Sequence, residues 1–363
     1  MKFLLAGYFG YGNFGDEAIL KYALDILKYY YKDAQISVLT NSPYYTKKNL
    51  EVDGIFRFNM KAVIKEIKSS DILIFPGGSI FQDITSLKSI LYYLFLILTG
   101  LFFKKKVVLI SQGIGPINRK IIQNLTFKIL RKVNLITVRD EKSYDLLIQN
   151  GVNAKLTADL VWAFTQKMDN EKQEKSIVYG DIACHTEKGK VGIQLRNWNN
   201  LTNEKLEILA KAIFKNFPML EYNYKLICLQ KNADEQILIE LGKIMHELNN
   251  EANIELCVKS DIEENVELLQ SMDYMIAMRF HAGLCTINAE KPLLMISYDP
   301  KTEELCNELG MQYIDVNNFT QETVIENIKW LKEFNPTKTA LKTNILAKKS
   351  QQNVDYLIKE IEK

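Results

Sequence analysis

Histidine is scarce in this chain, with three in 363 residues. None is paired with another at metal-ligand spacing: there is no H-x-x-x-H, and no acidic triad accompanies any of them, so a resident metal is not expected. Cysteine is nearly as sparse. The five cysteines (Cys184, Cys228, Cys257, Cys285 and Cys306) are scattered, odd in number and without a C-x-x-C pair. That excludes a disulfide framework and a zinc site, and it fits reduced, mostly buried thiols in a cytoplasmic protein. The chain also lacks an excess of either charge. A formal net charge of +2 gives no global field for nucleic acid, and no nucleic-acid partner is expected. Two catalytic signatures are missing: there is no G-x-S-x-G elbow and no P-loop ending in Gly-Lys-Ser/Thr, which removes the main support for a hydrolase triad or an ATPase.

No long hydrophobic run is present. The N-terminal Met1-Lys2-Phe3-Leu4-Leu5-Ala6 turns glycine-rich at once, too short for a signal-peptide core, and reads as a first strand. The longest apolar stretch, Ile90 to Phe103, falls short of the roughly 20 residues a membrane-spanning helix needs. Lys104-Lys105-Lys106 follow it directly. Two readings of 90–106 stand: a buried helix between sheet and neighbour, or an interfacial helix drawn to anionic headgroups on the inner face of the cytoplasmic membrane.

With 47% hydrophobic residues, the chain has enough apolar content for a sizeable core, and its length suits two domains. In the first half, short β-branched runs alternate with helical periodicity. Strands are expected at Lys2–Ala6, Gln35–Leu39, Asp71–Phe75, Val107–Ser111 and Leu135–Val138, with helices near 16–31, 62–68, 90–103 and 120–132. A polar stretch around 166–175 interrupts the pattern. A second series then begins at Val191 and continues through Lys225–Leu229, Ile254–Cys257, Tyr274–Ala277 and Leu293–Ile296. Strand–helix alternation implies parallel βαβ units in doubly wound sheets. The expected fold is therefore α/β and GT-B-like, two doubly wound Rossmann-like domains facing a cleft. The expected boundaries are 1–165 for the first domain, 166–190 for the connection, 191–335 for the second domain and 336–363 for a helix packing back toward the first.

Functional loops in such sheets sit at the carboxyl ends of strands. Here those ends carry Gly7 through Glu17, Pro76-Gly77-Gly78-Ser79, Ser111-Gln112-Gly113-Ile114-Gly115-Pro116, Arg139-Asp140, Arg196-Asn197-Trp198, and Tyr298-Asp299-Pro300-Lys301. Gly10-x-Gly12-x-x-Gly15 matches the dinucleotide fingerprint in form. Asp16 and Glu17, however, place carboxylates where a pyrophosphate would need bare amides, and no acid ends the next strand to meet a ribose. A loop with Asn13 and Asp16 suits sugar hydroxyls, or simply the strand-to-helix turn. Met278-Arg279-Phe280-His281-Ala282-Gly283 is the densest chemical motif. Alternation along an extended segment would set Arg279 and His281 on one face. A forked cation beside a titratable imidazole suits an anionic substrate whose reaction moves a proton.

Taken in order, Gly7-Tyr-Phe-Gly-Tyr-Gly-Asn-Phe-Gly-Asp-Glu-Ala-Ile-Leu20, Pro76-Gly-Gly-Ser79, Ser111-Gln-Gly-Ile-Gly-Pro116, Val138-Arg-Asp140, Ala158-Asp159 and Met278-Arg-Phe-His-Ala-Gly283 resemble the polysaccharide pyruvyltransferases, with the order of the CsaB-type cell-wall branch. The resemblance spans residues 1 to about 330. It implies a transferase that takes phosphoenolpyruvate as co-substrate, needs no other cofactor, and places a pyruvyl ketal on a sugar, here a polyprenyl-linked cell-wall precursor whose product anchors S-layer proteins. It assigns Arg139 and Arg279 to the donor's anionic groups, Lys301 to phosphate or developing charge, and His281 to general acid catalysis. Asn13, Asp16, Gly78 and Arg196 become acceptor or backbone contacts. Two rival readings remain: a GT-B glycosyltransferase using a sugar nucleotide, and a non-catalytic module binding glycan or phosphate ligands.

Overall fold

The computed structural model describes residues 1–84, 86–165 and 188–363. Of the expected connection, only residues 188–190 are described, and Cys184 and His185 lie outside. The chain forms two compact units, one of residues 1–164 with 346–363, the other of residues 165–345.

The first unit is built on β1 (Lys2–Ala6), β2 (Gln35–Thr40), β3 (Asp53–Phe56), β4 (Ile72–Phe75), β5 (Gly78–Phe81), β6 (Lys106–Ile114), β7 (Leu135–Val138) and β8 (Lys155–Leu156). Their order is β3-β2-β1-β4-β6-β7-β8, with β5 alongside β6. The strand pairings among the described residues are parallel, with Leu5 opposite Val38 on one side and Ile74 on the other. Strands covered on both faces need near-continuous apolar runs, which is why Phe3-Leu4-Leu5-Ala6 and Ile72-Leu73-Ile74-Phe75 carry no alternation and are buried throughout.

Three elements here depart from the sequence reading. Helix Pro43–Leu50 and β3 were not anticipated; they are short, half-exposed and weakly apolar, so periodicity carries little signal. The third is β5, where no strand was expected: Gly78 opens it, and it pairs with the far end of β6. That pairing is possible because β6 continues to Ile114 through an irregularity at Ser111 (φ 54°). Ser111 is held there by its N–H donating to Thr137 Oγ1 (2.6 Å) and its Oγ donating to the Ala158 carbonyl (3.1 Å).

The second unit holds β9 (Gly189–Gln194), β10 (Tyr222–Cys228), β11 (Ile254–Val258), β12 (Tyr274–Ala277), β13 (Leu293–Ser297) and β14 (Tyr313–Asp315), in the order β11-β10-β9-β12-β13-β14. Val191, Ile193, Leu226, Ile276 and Leu294 on the strands pack with Leu209, Ile213 and Leu238 on helices Asn203–Asn216 and Lys231–Leu248. In each sheet the first strand lies inside, so strand order reverses beside it: between β1 and β4, and between β9 and β12. Those are the switch points where doubly wound sheets present their ligand crevices.

The C-terminal helix runs from Thr337 to Glu362, and its residues from 346 on belong to the first unit. Fully buried Asn353 fixes it there, accepting from Thr137 Oγ1 (2.5 Å) and Thr157 Oγ1 (2.8 Å) and donating to the Ala158 carbonyl (2.9 Å). Lys106 Nζ donates to the Glu360 carbonyl (2.6 Å), satisfying an end group a helix leaves open. No helix among the described residues is long and apolar enough to cross a membrane. The four described cysteines are buried thiols outside any disulfide. Burial pushes the thiols of Cys228 and Cys257 up to about 11 and that of Cys306 to about 12, which removes all three as thiolate nucleophiles.

Candidate functional site

At the rim of the second sheet, four adjacent strands end in polar side chains: β10 leads to Gln230 and Asp234, β9 to Arg196, β12 to Arg279 and His281, and β13 to Tyr298 and Lys301. The organising contact is between Arg279 and Asp234. Arg279 Nε donates to Asp234 Oδ2 (2.8 Å) and Nη2 to Oδ1 (2.6 Å), a bidentate pair with side chains 9% and 0% exposed. Asp234 Oδ2 also accepts from the Leu229 and Gln230 amides and from Gln194 Nε2. Gln194 Oε1 in turn accepts the Arg279 N–H (2.8 Å), and Gln230 Oε1 accepts from Arg279 Nη2 (2.8 Å). A buried carboxylate needs this many partners, because an unpaired charge in that place would cost several kcal/mol.

This geometry corrects two sequence expectations. Arg279 and His281 do not share one face of an extended segment: β12 stops at Ala277, Arg279 takes the extended N-cap position, and His281 lies in the first turn of helix Phe280–Asn288. Arg279 also has Nε and Nη2 turned to Asp234, so it is chiefly a paired cation rather than an open clamp. His281 is half-buried, its ring edge-on to Phe280 (centroids 5.1 Å apart, 88°), and is not sealed in the core. Lys301 is half-buried on the first turn of helix Pro300–Leu309, where Asp299 caps the Lys301 and Thr302 amides (3.1 and 3.2 Å).

Between those elements, Arg196 Nη1 donates to Tyr298 Oη (3.1 Å), and the guanidinium carbon sits 5.0 Å from the Tyr298 ring centroid and 5.8 Å from that of Trp198. Burial raises the Tyr298 pKa, helped by Asp299 and opposed by Arg196, so Tyr298 remains a phenol at neutral pH.

The rim of the first sheet repeats the logic with β1, β4, β6 and β7. Arg139, just beyond β7, donates from Nη1 to Asp159 Oδ2 (2.5 Å) and from Nη2 to Ser79 Oγ (2.8 Å). Asp140, next to it in sequence, caps helix Glu141–Gln149 by accepting the Ser143 N–H. Burial works against the Arg139 cation, but Asp159 and then Asp140 outweigh it and raise its pKa. Gly113 makes the arrangement possible: a Cβ there would lie 2.5 Å from Ser79 Oγ and 3.3 Å from two Arg139 nitrogens. Gly78 (φ 97°) occupies left-handed backbone, and a Cβ on it would meet Asp16 Oδ1 at 3.2 Å. Asp16 Oδ2 accepts from Asn13 Nδ2 (2.5 Å). Arg139, Asn13, Asp16 and Gly78 thus belong to one rim, and Arg196, Arg279, His281 and Lys301 to the other.

Several members escaped the sequence reading. Asp159 was visible only as part of Ala158-Asp159, and Asp234 and Gln230 sit in an ordinary helix start. Glu17, noted only for its charge, is buried and accepts the Gly10 N–H (2.8 Å), with the Tyr11 and Gly12 amides also turned to it. Arg57 is buried behind the glycine loop, donating to the Gly7 carbonyl (2.9 Å) and Tyr93 Oη (3.0 Å) among the rings of Tyr11, Phe58, Tyr92 and Tyr93. Its only cue was the flanking Phe56 and Phe58. Among the described residues no cluster of His, Cys, Asp and Glu is arranged to hold a metal ion.

Two predictions follow from these contacts. Arg279→Ala leaves Asp234 buried without its cation and should lower unfolding free energy by about 3–5 kcal/mol, read from the denaturant midpoint; the double variant with Asp234→Ala should recover part of that loss. Burial pushes the Glu17 carboxyl from its usual value to about 7, the three loop amides only partly opposing it. A raised carboxyl pKa favours the protonated folded state, so its stabilising contribution is full below about 4.5 and lost as pH rises through about 7. Relative to Glu17→Gln, the wild type should lose roughly 3 kcal/mol across that window in a pH series of denaturant melts, and parallel curves would exclude the shift.

Comparison with known proteins accords with this layout. A curated relative, the amylovoran biosynthesis protein AmsJ of Erwinia amylovora, is 21% identical over 386 residues, covering 90% of this chain and 91% of that protein. Among solved structures, a putative UDP-N-acetylglucosamine 2-epimerase from Listeria monocytogenes superposes with a TM-score of 0.67 at 9% identity, covering 99% of this chain and 96% of its own. The UDP-GlcNAc 2-epimerase of Neisseria meningitidis, bound to UDP-GlcNAc, gives 0.62 at 14% identity over 99% and 100%. These likenesses establish a GT-B-like, two-domain Rossmann-type fold. The family model for polysaccharide pyruvyl transferase matches residues 13–300, which includes both rims up to Pro300, and the chain belongs to that family.

Proposed function

We propose that this transferase moves the pyruvyl group of phosphoenolpyruvate onto two hydroxyls of one sugar, closing a ketal and releasing phosphate. The observation that carries the reading is the rim of the second sheet, where Arg196, Arg279, His281 and Lys301 follow three neighbouring strands of one parallel sheet. A donor bearing both carboxylate and phosphate requires fixed cations that need no reorganisation as charge shifts. The paired Arg279 and Arg139 supply shaped, permanent fields, and Lys301 a compact charge suited to phosphate.

His281 then acts as general acid. It protonates the methylene carbon while a sugar hydroxyl oxygen bonds to the adjacent carbon, giving a tetrahedral phosphate-bearing centre. A second hydroxyl attacks the same carbon and the phosphate C–O bond breaks. Of the two hydroxyl protons released, one restores His281 and the other leaves with phosphate. Asn13 and Asp16 offer an acceptor and donor set for sugar hydroxyls, with Gly78 giving close backbone approach.

A lipid-linked acceptor is supported by the surface of helix Leu87–Phe102. One side of it is core: Ile90, Tyr93, Leu94, Ile97 and Gly100 are buried. Leu91, Phe95, Leu98 and Phe102 form an exposed stripe at helical spacing, and Ile121 and Leu125 are exposed on the contacting helix Lys120–Leu130. Lys88, Lys104, Lys120 and Lys128 are exposed on the same two helices and their ends. The buried side is that of a core helix, and the exposed apolar stripe beside lysines supports the interfacial reading. Lys106 is withdrawn from the lysine cluster by its bond to Glu360. In vesicle flotation, the protein should rise with vesicles containing anionic lipid, and both Phe102→Ser/Leu98→Ser and Lys104→Ala/Lys105→Ala should weaken that. Equal recovery with neutral vesicles or with the variants would remove the membrane role.

The reaction itself is tested by incubating the protein with phosphoenolpyruvate and a panel of lipid-linked or nitrophenyl glycosides, following phosphate release and product mass. A pyruvyl adduct with stoichiometric phosphate is expected; consumption of a sugar nucleotide, or binding without turnover, would overturn the reading. His281→Ala should lower turnover by about 10² to 10⁴ with an unchanged melting midpoint. A rate near the wild type's would exclude it as the acid.

A further inference from the structure

The two arginines expected to grip the donor are both neutralised. Arg139 faces Asp159, and Arg279 faces Asp234 through two nitrogens. Arg196 differs. Among the described residues it forms no ion pair, its Nε is buried without a hydrogen-bond partner, and its Nη1 bond goes to a neutral phenol. It stands beyond β9, the strand at the switch point, between β10 and β12. Trp198 and Tyr298 pack on each other beside it, their rings 4.9 Å apart at 50°, with Tyr298 half-buried and Trp198 exposed.

We propose that Arg196, framed by Trp198 and Tyr298, is the principal ligand of the donor's carboxylate, and that Lys301 is left the phosphate. The inference rests on the pyruvyl-transfer reading and deepens it. A guanidinium that forms no ion pair among the described residues keeps its charge uncompensated, and a planar two-oxygen anion pairs with such a fork from one side. The neighbouring aromatic faces add attraction for the cation itself. The Tyr298 oxygen accepts from Arg196, which leaves its O–H to donate to a second ligand oxygen. Phosphate, tetrahedral and strongly hydrated, suits a compact ammonium at a helix start. An acceptor role for Arg196 does not use these features, since a sugar hydroxyl brings no charge to match an unpaired cation.

Trp198 reports on the site. Of the other two tryptophans, Trp162 is buried in the first unit, and Trp330 packs on Phe334 in helix Gln321–Glu333 and its C-cap. Phosphoenolpyruvate should therefore change the tryptophan emission of the full-length protein, and Trp198→Phe should abolish the change. Arg196→Met, which keeps the packing stem, should raise the phosphoenolpyruvate Kd about 10- to 100-fold, and Arg196→Lys should restore only part of it. Pyruvate, carrying the carboxylate alone, should lose its competition with the donor in Arg196→Met, whereas inorganic phosphate should compete as in the wild type. Unchanged donor affinity in Arg196→Met with transfer intact would overturn this assignment and leave pyruvyl transfer standing; loss of phosphate competition instead of pyruvate competition would also overturn it. A wild type that neither binds phosphoenolpyruvate nor transfers from it would sink both.

Discussion

A carboxylate with no solvent exposure governs the second sheet's rim. Asp234 collects two guanidinium nitrogens, two backbone amides and a side-chain amide, and through them it sets where the ends of β9, β10 and β12 can lie. Removing water from one charge in a protein interior costs several kcal/mol, so the pair forms as a unit or not at all. Once formed, its geometry is not negotiable by ligand binding. Arg279 therefore contributes a fixed orientation and a local field, while its net charge is cancelled. Arg139 with Asp159 repeats the solution in the first unit. On the pyruvyl-transfer reading, charge balance for the donor draws on other cations, and on the second rim Arg196 forms no ion pair among the described residues.

The sequence made the fold legible through its parallel strands, because a strand buried on both faces must be a short apolar run and the runs recur with helices between them. Strand ends carrying glycine or a cation could likewise be placed on rims without coordinates, and Arg139, Arg196 and Lys301 came from that rule, whereas Arg279 and His281 came from the Met278–Gly283 motif. What stayed hidden was pairing. Asp159 lies 20 residues from Arg139 and Asp234 lies 45 residues before Arg279, and neither spacing has a local signature. The face shared by Arg279 and His281 was misjudged because alternation was extended two residues past the end of β12, across the change from strand to helix period. Helix Pro43–Leu50 and β3 were missed because edge elements with half their surface wet need little apolar patterning.

Likeness to sugar-nucleotide epimerases at 9% and 14% identity is a statement about sheets and crossovers, which many chemistries share. The family model is a different kind of finding, since it matches this chain's own residues across both rims up to Pro300. Side chains at strand ends, rather than strand order, separate the pyruvyl-transfer reading from a nucleotide one. On the second rim the polar positions are an ion pair, an imidazole, an arginine beside two aromatic rings and a lysine, a set with more fixed positive charge than flat surface for a base.

The glycine loop of the first unit supplies the complementary argument. A G-x-G-x-x-G turn serves a pyrophosphate only when its amides point outward and the helix start is unobstructed. Here Glu17 reaches back from the first helix turn and takes the amides of Gly10, Tyr11 and Gly12, at the expense of burying its own carboxyl. Asp16, beside it, adds a second acid that Asn13 orients over Gly78. An incoming phosphate would meet two carboxylates and no open amide row. Sugar hydroxyls meet the opposite situation, because an amide and a carboxylate held in fixed register can accept and donate to neighbouring hydroxyls at once. The acids that spoil the loop for a dinucleotide are thus the feature that suits it to a polyhydroxyl acceptor.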